Sequence, residues 1–404
     1  MPWLFRGHFY YIGYACRLYL NIAPFPPLSS SLFSGCSSPI VSDVPIHVQH
    51  SFSFFSTFGH PLAWAVPLRG FLCLNHPVSP QACARCGLTI GYTVLSIVIV
   101  TRNTRQLLEA LLVSIEADRA LVPLIEGVIV VDNGSTDGTD ATIPRRFPGV
   151  AYVKNSENRG FAAAVNAGFR LSTGKLVLLL NSDTRLIPGE ITRMLDFMEH
   201  EPPVGIVGPQ LVYEDMRPQR SFALTPSLAF EVLPRSLMER VLPGRFRTKG
   251  SGPSEPLDVE SLIGAALAVR REVFDLLGGF DERFFLFLEE TDFCLRAWEK
   301  GRRVVFLPSA RVVHLQGKTV GQSWVRGRIE YSISLYKFMG KYHSRGYCAL
   351  FVLVRAGKAL LFLLMLTVLP FLLFTISMRR KYRYYARLLV WHLRGFPESG
   401  GLRP

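Results

Sequence analysis

The sequence predicts an α/β fold on a mainly parallel sheet, followed by an apolar, membrane-associated helical segment. Three observations predict it. Short β-branched runs alternate with helical patterns from about Thr93 onward, each run ends in a polar cluster, and an uncharged stretch, Ala359–Ser377, lies near the C-terminus. In such sheets ligands sit beyond the carboxyl ends of the strands, which is where the polar clusters fall.

Residues 1–92 read differently from the rest. They are rich in Phe, Ser, Pro and Cys, nearly free of charge, and hold neither a helical nor a strand period for long. Arg17 interrupts the first apolar run, which argues against a signal peptide. Evolved disorder is usually charged. The segment is therefore read as disordered or as a non-native upstream extension, and a chain starting near Thr93 is expected to fold and act without it. Five of the seven cysteines (Cys16, Cys36, Cys73, Cys83 and Cys86) lie here. A lone Cys83-x-x-Cys86 with no second pair supports neither a disulfide framework nor a zinc site.

The patterned region begins with Val94–Val100, a run fit for a buried parallel strand. Arg105–Ile115 carries leucines at helical spacing, Gly127–Val131 is a second strand, Phe161–Leu171 a small-residue helix, and Leu176–Leu180 a third strand. Strand, helix, strand, helix, strand at this rhythm gives parallel pairing. Ala359–Ser377 has roughly the twenty residues a membrane-crossing helix needs. Arg355 and Lys358 precede it, however, and Arg379, Arg380, Lys381, Arg383 and Arg387 come after it. Basic flanks on both sides conflict with a simple span and suit a re-entrant or interfacial hairpin with both ends on one side.

The polar clusters carry the chemistry. Thr101-Arg102-Asn103 follows the first strand and Asp132-Asn133-Gly134-Ser135-Thr136-Asp137-Gly138-Thr139 the second. A calcium loop fails on spacing, because Gly134 stands at the third position and Ile143 at the twelfth, where a bidentate Glu is needed. A plain turn remains open; the functional reading has Asp132 accept hydrogen bonds from a nucleoside. Asn158-Arg159-Gly160 leads into the next helix, where Gly160 would let backbone approach a ligand and the helix N-terminus favour phosphate. Asn181-Ser182-Asp183 follows the third strand, and a carboxylate there is placed to hold Mg²⁺ or Mn²⁺ against a diphosphate. Glu289, Glu290 and Asp292, beside Phe284-Phe285-Leu286-Phe287, read either as a desolvated site with one general base or as an ordinary acidic helix start.

In this order the motifs resemble family 2 glycosyltransferases of the GT-A fold. They are Ser96-Ile97-Val98-Ile99-Val100-Thr101-Arg102-Asn103, Val131-Asp132-Asn133-Gly134-Ser135-Thr136-Asp137-Gly138, Glu157-Asn158-Arg159-Gly160-Phe161 and Leu180-Asn181-Ser182-Asp183. The nearest likeness is to the rhamnosyltransferase-like branch of bacterial surface polysaccharide synthesis. The resemblance covers about Thr93 to Lys341 and implies a transferase domain over 93–342 with a membrane-associated tail over 343–404. It implies that Thr101, Asn103, Asp132, Asn158, Gly160 and Asp183 line the nucleotide-sugar pocket. Asp183 matches the last acidic position of the D-x-D metal motif, with Asn181 at the first, and His314 resembles a histidine that completes the metal shell. Gly264, Ala265 and Ala266 match a segment beside the acceptor. Glu290 stands where the base is expected, with Glu289 and Asp292 as the other candidates.

The resemblance further implies an inverting transferase that moves a sugar, with rhamnose the candidate, from a nucleotide diphosphate to a polyprenyl-linked or glycan acceptor. It implies a divalent ion as cofactor and the cytoplasmic face of a bacterial inner membrane as location. The net charge of +14 also suits nucleic acid, but the basic residues gather beside the apolar tail and the strand-end acids oppose phosphate, so nucleic acid is not an expected partner. A membrane scaffold with a degenerate transferase domain, and a processive synthase, remain the competing readings. Against the latter, only Gln322-Ser323-Trp324 stands in for the synthase motif Q-x-x-R-W.

Overall fold

The computed structural model describes residues 95–233, 235–241, 254–315, 324–369 and 375–403. The expectations for residues 1–92 and for Gln322-Ser323 lie outside them. The domain opens with β1 (Leu95–Thr101), buried along its whole length as a central parallel strand of branched residues must be. Helix α1 (Arg105–Ala117) lays Leu108, Leu111, Leu112 and Ile115 on the sheet, the 3-4 spacing its leucines require. Then come β2 (Ile125–Asp132), α2 (Thr139–Arg146), β3 (Val150–Lys154), α3 (Phe161–Leu171), β4 (Leu176–Asn181) and β5 (Thr184–Leu186). The chain continues through α4 (Glu190–His200), β6 (Val204–Val212), β7 (Phe222–Ala223), α5 (Leu228–Val232), α6 (Arg235–Val241), β8 (Leu257–Asp258) and β9 (Ser261–Leu262). It closes with β10 (Ala266–Arg270), α7 (Arg271–Leu277), α8 (Glu289–Glu299), β11 (Arg303–His314), α9 (Trp324–Tyr342), α10 (Arg345–Val368) and α11 (Ile376–Leu393).

Among the described residues the main sheet has nine strands, in the order β3-β2-β1-β4-β10-β6-β11-β5, with β8 also on β11. β1 pairs in parallel with β2 and β4, β2 with β3, and β6 with β11. β10 runs against both β4 and β6 and joins the two parallel halves. This mostly parallel sheet with helices on both faces is the predicted GT-A architecture. Two buried clusters, one on each face, hold it.

Gly168 shows how closely the layers approach. It lies on the sheet-facing side of α3, and a methyl there would sit 2.3 Å from Cγ1 of Val98 and 3.3 Å from Cγ2 of Val131. Both neighbours are stiff, buried strand residues, so neither can turn away.

The C-terminal part departs from expectation. The uncharged run Ala359–Ser377 does not form one helix: α10 starts at Arg345 and stops at Val368, and α11 begins at Ile376. Proline at position 370 explains the stop, since it disfavours helical geometry in the residue before it and lacks an N–H. The two helices pack on each other, with Phe362 against Tyr385 at 4.5 Å. α11 returns to α9, where Tyr336 stacks on Trp391 at 5.5 Å and its hydroxyl bonds His392 Nε2 at 2.7 Å.

A Gly168→Ala substitution tests the close approach. In an open helix the change would stabilise by about 1 kcal/mol. Here the clash reverses the sign, and denaturant unfolding is expected to show a loss of about 1–3 kcal/mol; an unchanged or raised stability would contradict the packing.

Candidate functional site

The strand register brings the polar clusters into one row. Thr101 pairs with Asp132 across β1 and β2, and Val100 with Asn181 across β1 and β4. Neighbouring strands are about 4.8 Å apart, so the first, second and fourth clusters share one edge. A hydroxyl chain ties them: Thr101 Oγ1 to Thr104 Oγ1 at 2.9 Å, and Thr104 Oγ1 to Ser182 Oγ at 2.7 Å. Asn181 N–H donates to Ala265 carbonyl at 2.9 Å, which brings Gly264 and Ala265 to the same edge, and β10 starts at Ala266. A methyl on Gly264 would lie 3.5 Å from Cβ of Glu290. Asp132, Thr101, Asn181, Ala265, Gly264 and Glu290 thus succeed one another along one side of the sheet.

Several of these residues hold the loops themselves. Asp132 is fully buried: its Oδ1 accepts Ser135 N–H at 2.8 Å and its Oδ2 the hydroxyl of Tyr152. Burial first, and then the Asp132 carboxylate, push the Tyr152 phenol well above its ordinary pKa. Asn103 lies in the left-handed region at φ 53°; its N–H donates to Ser135 Oγ at 2.9 Å and its Oδ1 accepts Thr136 N–H at 2.8 Å. Asn158 Oδ1 accepts from Asn133 Nδ2 at 2.8 Å and from Gly160 N–H at 3.2 Å.

Gly160 differs from the sequence reading. At φ 90° it makes room for protein: a methyl there would meet Phe285 O at 2.7 Å, and the same carbonyl accepts the Phe161 N–H at 2.7 Å. The first amide of α3 is therefore already satisfied by the chain.

At the other end of the row, β11 pairs with β5 and sets His314 beside Asp183, Nε2 to Oδ1 at 3.5 Å. Gln219, which sequence reasoning missed, faces the ring: its Oε1 lies 3.2 Å from Nδ1, and its Nε2 donates to His314 O at 2.6 Å. With Nδ1 as the donor to that oxygen, Nε2 keeps its lone pair, the arrangement common behind metal-binding histidines. Asn181 Oδ1 is buried without a partner. One carboxylate, one imidazole nitrogen and one unpaired amide oxygen are donors a divalent ion accepts. The described residues contain no group of three or more acidic, His or Cys side chains suited to a metal.

The three acids of α8 have three environments. Asp292 is fully buried, and both its oxygens are taken: Oδ2 by Arg296 Nε at 2.8 Å, Oδ1 by Lys341 Nζ at 2.5 Å and Tyr342 hydroxyl at 2.7 Å. Fully enclosed and ion-paired on both oxygens, it fastens α8 to α9. Glu289 is buried with Oε2 unpaired, and burial, then the neighbouring Glu290, raise its pKa well above the ordinary range. Glu290 is partly exposed, and desolvation pushes it up to about 7.

A mostly parallel sheet with acids and amides along its carboxyl edge, and a titratable carboxylate poised near neutrality, together form a candidate active site. Comparison with known proteins places it further. The model of Glycosyl transferase family 2 matches residues 96–277. An N-acetylglucosaminyl-diphospho-decaprenol L-rhamnosyltransferase of Mycobacterium tuberculosis is 31% identical over 274 residues, covering 62% of this chain and 85% of the relative. The chain belongs to family 2 of the glycosyltransferases. The dTDP-rhamnosyl transferase RfbF of Shigella flexneri is 26% identical over 196 residues, 47% of this chain and 60% of that one. Among solved structures, a mannosyltransferase from Pyrobaculum calidifontis in complex with GDP-Man and Mn²⁺ aligns at a TM-score of 0.46 and 20% identity, over 74% of this chain and 87% of that one.

The raised pKa of Glu289 gives a stability prediction. Its folded value exceeds its unfolded value, so the folded protein binds the extra proton, and stability falls as pH rises from about 4.5 through the folded pKa. Glu289→Gln removes this slope. Melting temperatures at pH 5 and pH 9 are expected to show the variant gaining on the parent as pH rises; a constant difference would refute the neutral buried carboxyl.

Proposed function

We propose that this glycosyltransferase is inverting and moves a sugar, rhamnose by analogy with its relatives, from a nucleotide diphosphate to a polyprenyl-linked acceptor in cell-surface polysaccharide synthesis. The observation that carries the mechanism is Glu290: it heads α8 against Gly264 on the strand-end row, with a carboxyl desolvated to a pKa of about 7. A general base works best with a pKa near the operating pH. Glu290 removes the proton from the acceptor hydroxyl as that oxygen bonds the anomeric carbon, while the bond from that carbon to the diphosphate oxygen breaks and the nucleoside diphosphate leaves. One base and one displacement invert the anomeric centre. Asp292 is assigned to holding α8 in place and Glu289 to keeping the surroundings of Glu290 uncharged.

On the donor side, Thr101, Asn103, Asn158 and the 132–136 loop form the nucleoside wall, with Tyr152 and Asp132 behind it. Each oxygen of Asp132 has a second lone pair, so a base N–H approaching Oδ2 would share it with the Tyr152 hydroxyl. Asp183, His314 and Asn181 are the residues that would hold a divalent ion, Mg²⁺ or Mn²⁺. Such an ion, when bound, stabilises negative charge on a leaving diphosphate.

The tail supports an interfacial hairpin on the cytoplasmic face over a spanning helix. α10 is long and apolar enough to cross a membrane. Yet Arg355, near its middle, pairs with Glu231 of α5 at 2.7 Å, and Lys358 with the same carboxylate at 3.2 Å. Beyond Lys358 only residues 359–368 of the helix are free of charge. Those residues rise about 15 Å, half of a hydrocarbon core of about 30 Å. α11 brings Arg379, Arg380, Lys381, Arg383 and Arg387, which suit anionic headgroups.

Two measurements test the base. Glu290→Gln is expected to lower turnover by about 10²- to 10⁴-fold while nucleotide-sugar binding, read by thermal shift, persists. The rate of the parent should climb with pH through an acid limb near 7, because the ionised carboxylate is the active form. Retained turnover in the variant, or a product with retained anomeric configuration, would remove Glu290 from this role.

A further inference from the structure

Two consecutive bulky residues just before the acidic start of α8 lie in the left-handed region, Phe287 at φ 73° and Leu288 at φ 66°. That conformation is rare for such side chains and persists only where neighbouring contacts hold it. Leu288 is the capping residue of α8 and makes no side-chain cap hydrogen bond, so whatever grips this turn decides where Glu289 and Glu290 point. On one side the grip is α3, whose Phe161 N–H bonds the Phe285 carbonyl. On the other it is α9 together with the segment 397–403. Ser334 Oγ donates to Leu286 O at 2.7 Å. The carbonyl of Arg283 accepts Lys337 Nζ at 3.0 Å and an Arg403 Nη at 3.1 Å. The Arg403 guanidinium also lies over the Phe285 ring, 5.4 Å from its centre, within cation–π range.

The segment that brings Arg403 here is itself fastened. Trp391 Nε1 donates to Pro397 O at 2.9 Å, and Arg326 Nε donates to Gly401 O at 2.9 Å. Glu398 pairs with Lys337 at 2.5 Å and with Arg403. The innermost anchor is Glu330, fully buried on α9: its Oε2 accepts the Leu402 N–H at 2.8 Å, and its Oε1 is buried without a partner. The next residue, Tyr331, meets the Phe287 ring at 5.9 Å, and the Glu330 charge is among those acting on Glu289. The anchor thus lies against the acidic turn. We propose that the segment 397–403 is a strap for the base, in which Arg403 and Glu330 are positioning residues that hold the turn 283–288 so that Glu290 faces the acceptor. Both act through the turn. The inference rests on Glu290 as the base and adds what keeps it in place.

The test uses the full chain, assayed well below the melting temperature of each variant. Arg403→Ala and Glu330→Leu are each expected to lower kcat about ten- to hundredfold, the scale of a small misplacement of a reacting group, while nucleotide-sugar affinity, read by calorimetry, is kept. A loosened turn admits water to Glu290 and relieves its desolvation, so the acid limb of the rate should move below 7. The amides of residues 285–290 should exchange faster with deuterium than those of the parent. Glu330→Gln retains an oxygen for the Leu402 N–H and should keep the parent's rate. Arg403→Lys, the milder change for a chain that alanine would unfold, keeps a cation without the fork and should fall between parent and alanine. Variants that melt lower yet keep the parent's kcat and acid limb would make the segment a brace for the fold alone and overturn the strap. If they do so while Glu290→Gln is inactive, the base reading survives; if Glu290→Gln keeps its turnover, that reading fails and the strap falls with it.

Discussion

The register of β1 against its two parallel neighbours is the constraint on which the site depends. Thr101 opposite Asp132 and Val100 opposite Asn181 bring the last residues of three strands level. β1 and β4 are buried on both faces, and so is the second half of β2, so the polar clusters gather where the sheet runs out. A slip of one residue in β4 would exchange its two faces and misplace Asn181 and Asp183 together. The interlocked hydroxyls of Thr101, Thr104 and Ser182 reinforce this alignment at the point where hydrogen bonds between strands end.

The next dependence is electrostatic. Glu289, Glu290 and Asp292 occupy a single turn at the start of α8, where the helix dipole favours all three equally. The partner each meets separates them. Asp292 finds Arg296 and Lys341 and is neutralised by contact. Glu289 finds no cation, and burial keeps its proton on. Glu290 lies between these extremes, desolvated but open to the cleft, and is poised near neutral pH. Divergent surroundings for adjacent carboxyls are how a fold turns identical side chains into different chemical functions.

This sorting marks the limit of what the sequence could say. The strands β1, β2 and β4 and the helix α3 were legible because branched runs and small-residue periodicity are local signals. The acidic start of α8 was legible too, but the choice among its acids was not. Lys341 and Tyr342 lie about fifty residues downstream, on a helix that local pattern cannot assign to that neighbour. Tyr152 escaped notice for a similar reason: on the short, half-exposed β3 it reads as an ordinary strand aromatic, and only pairing with β2 sets its hydroxyl on Asp132. Gly160 was read as a place where backbone nears a ligand; the close neighbour in the fold is the Phe285 backbone, which arrives from 125 positions further along. The antiparallel β10, Ala-Leu-Ala-Val-Arg, is too short to announce itself as the strand that joins the two parallel halves.

The tail obeys the same logic on a larger scale. Composition alone made Ala359–Ser377 a membrane-crossing candidate, and composition is blind to where charged side chains find their partners. Arg355 and Lys358 both reach Glu231, so the middle of α10 is held at the surface of the transferase domain. Removing one partner from a buried pair leaves the other charge uncompensated at a cost of about 3–5 kcal/mol; drawing α10 further into a bilayer would break this pair while carrying two cations into hydrocarbon. Both penalties act in the same direction, against full insertion. The leucines on the opposite side of the helix pull the other way, toward lipid. The two opposing tendencies are what the interfacial hairpin proposed above would reconcile.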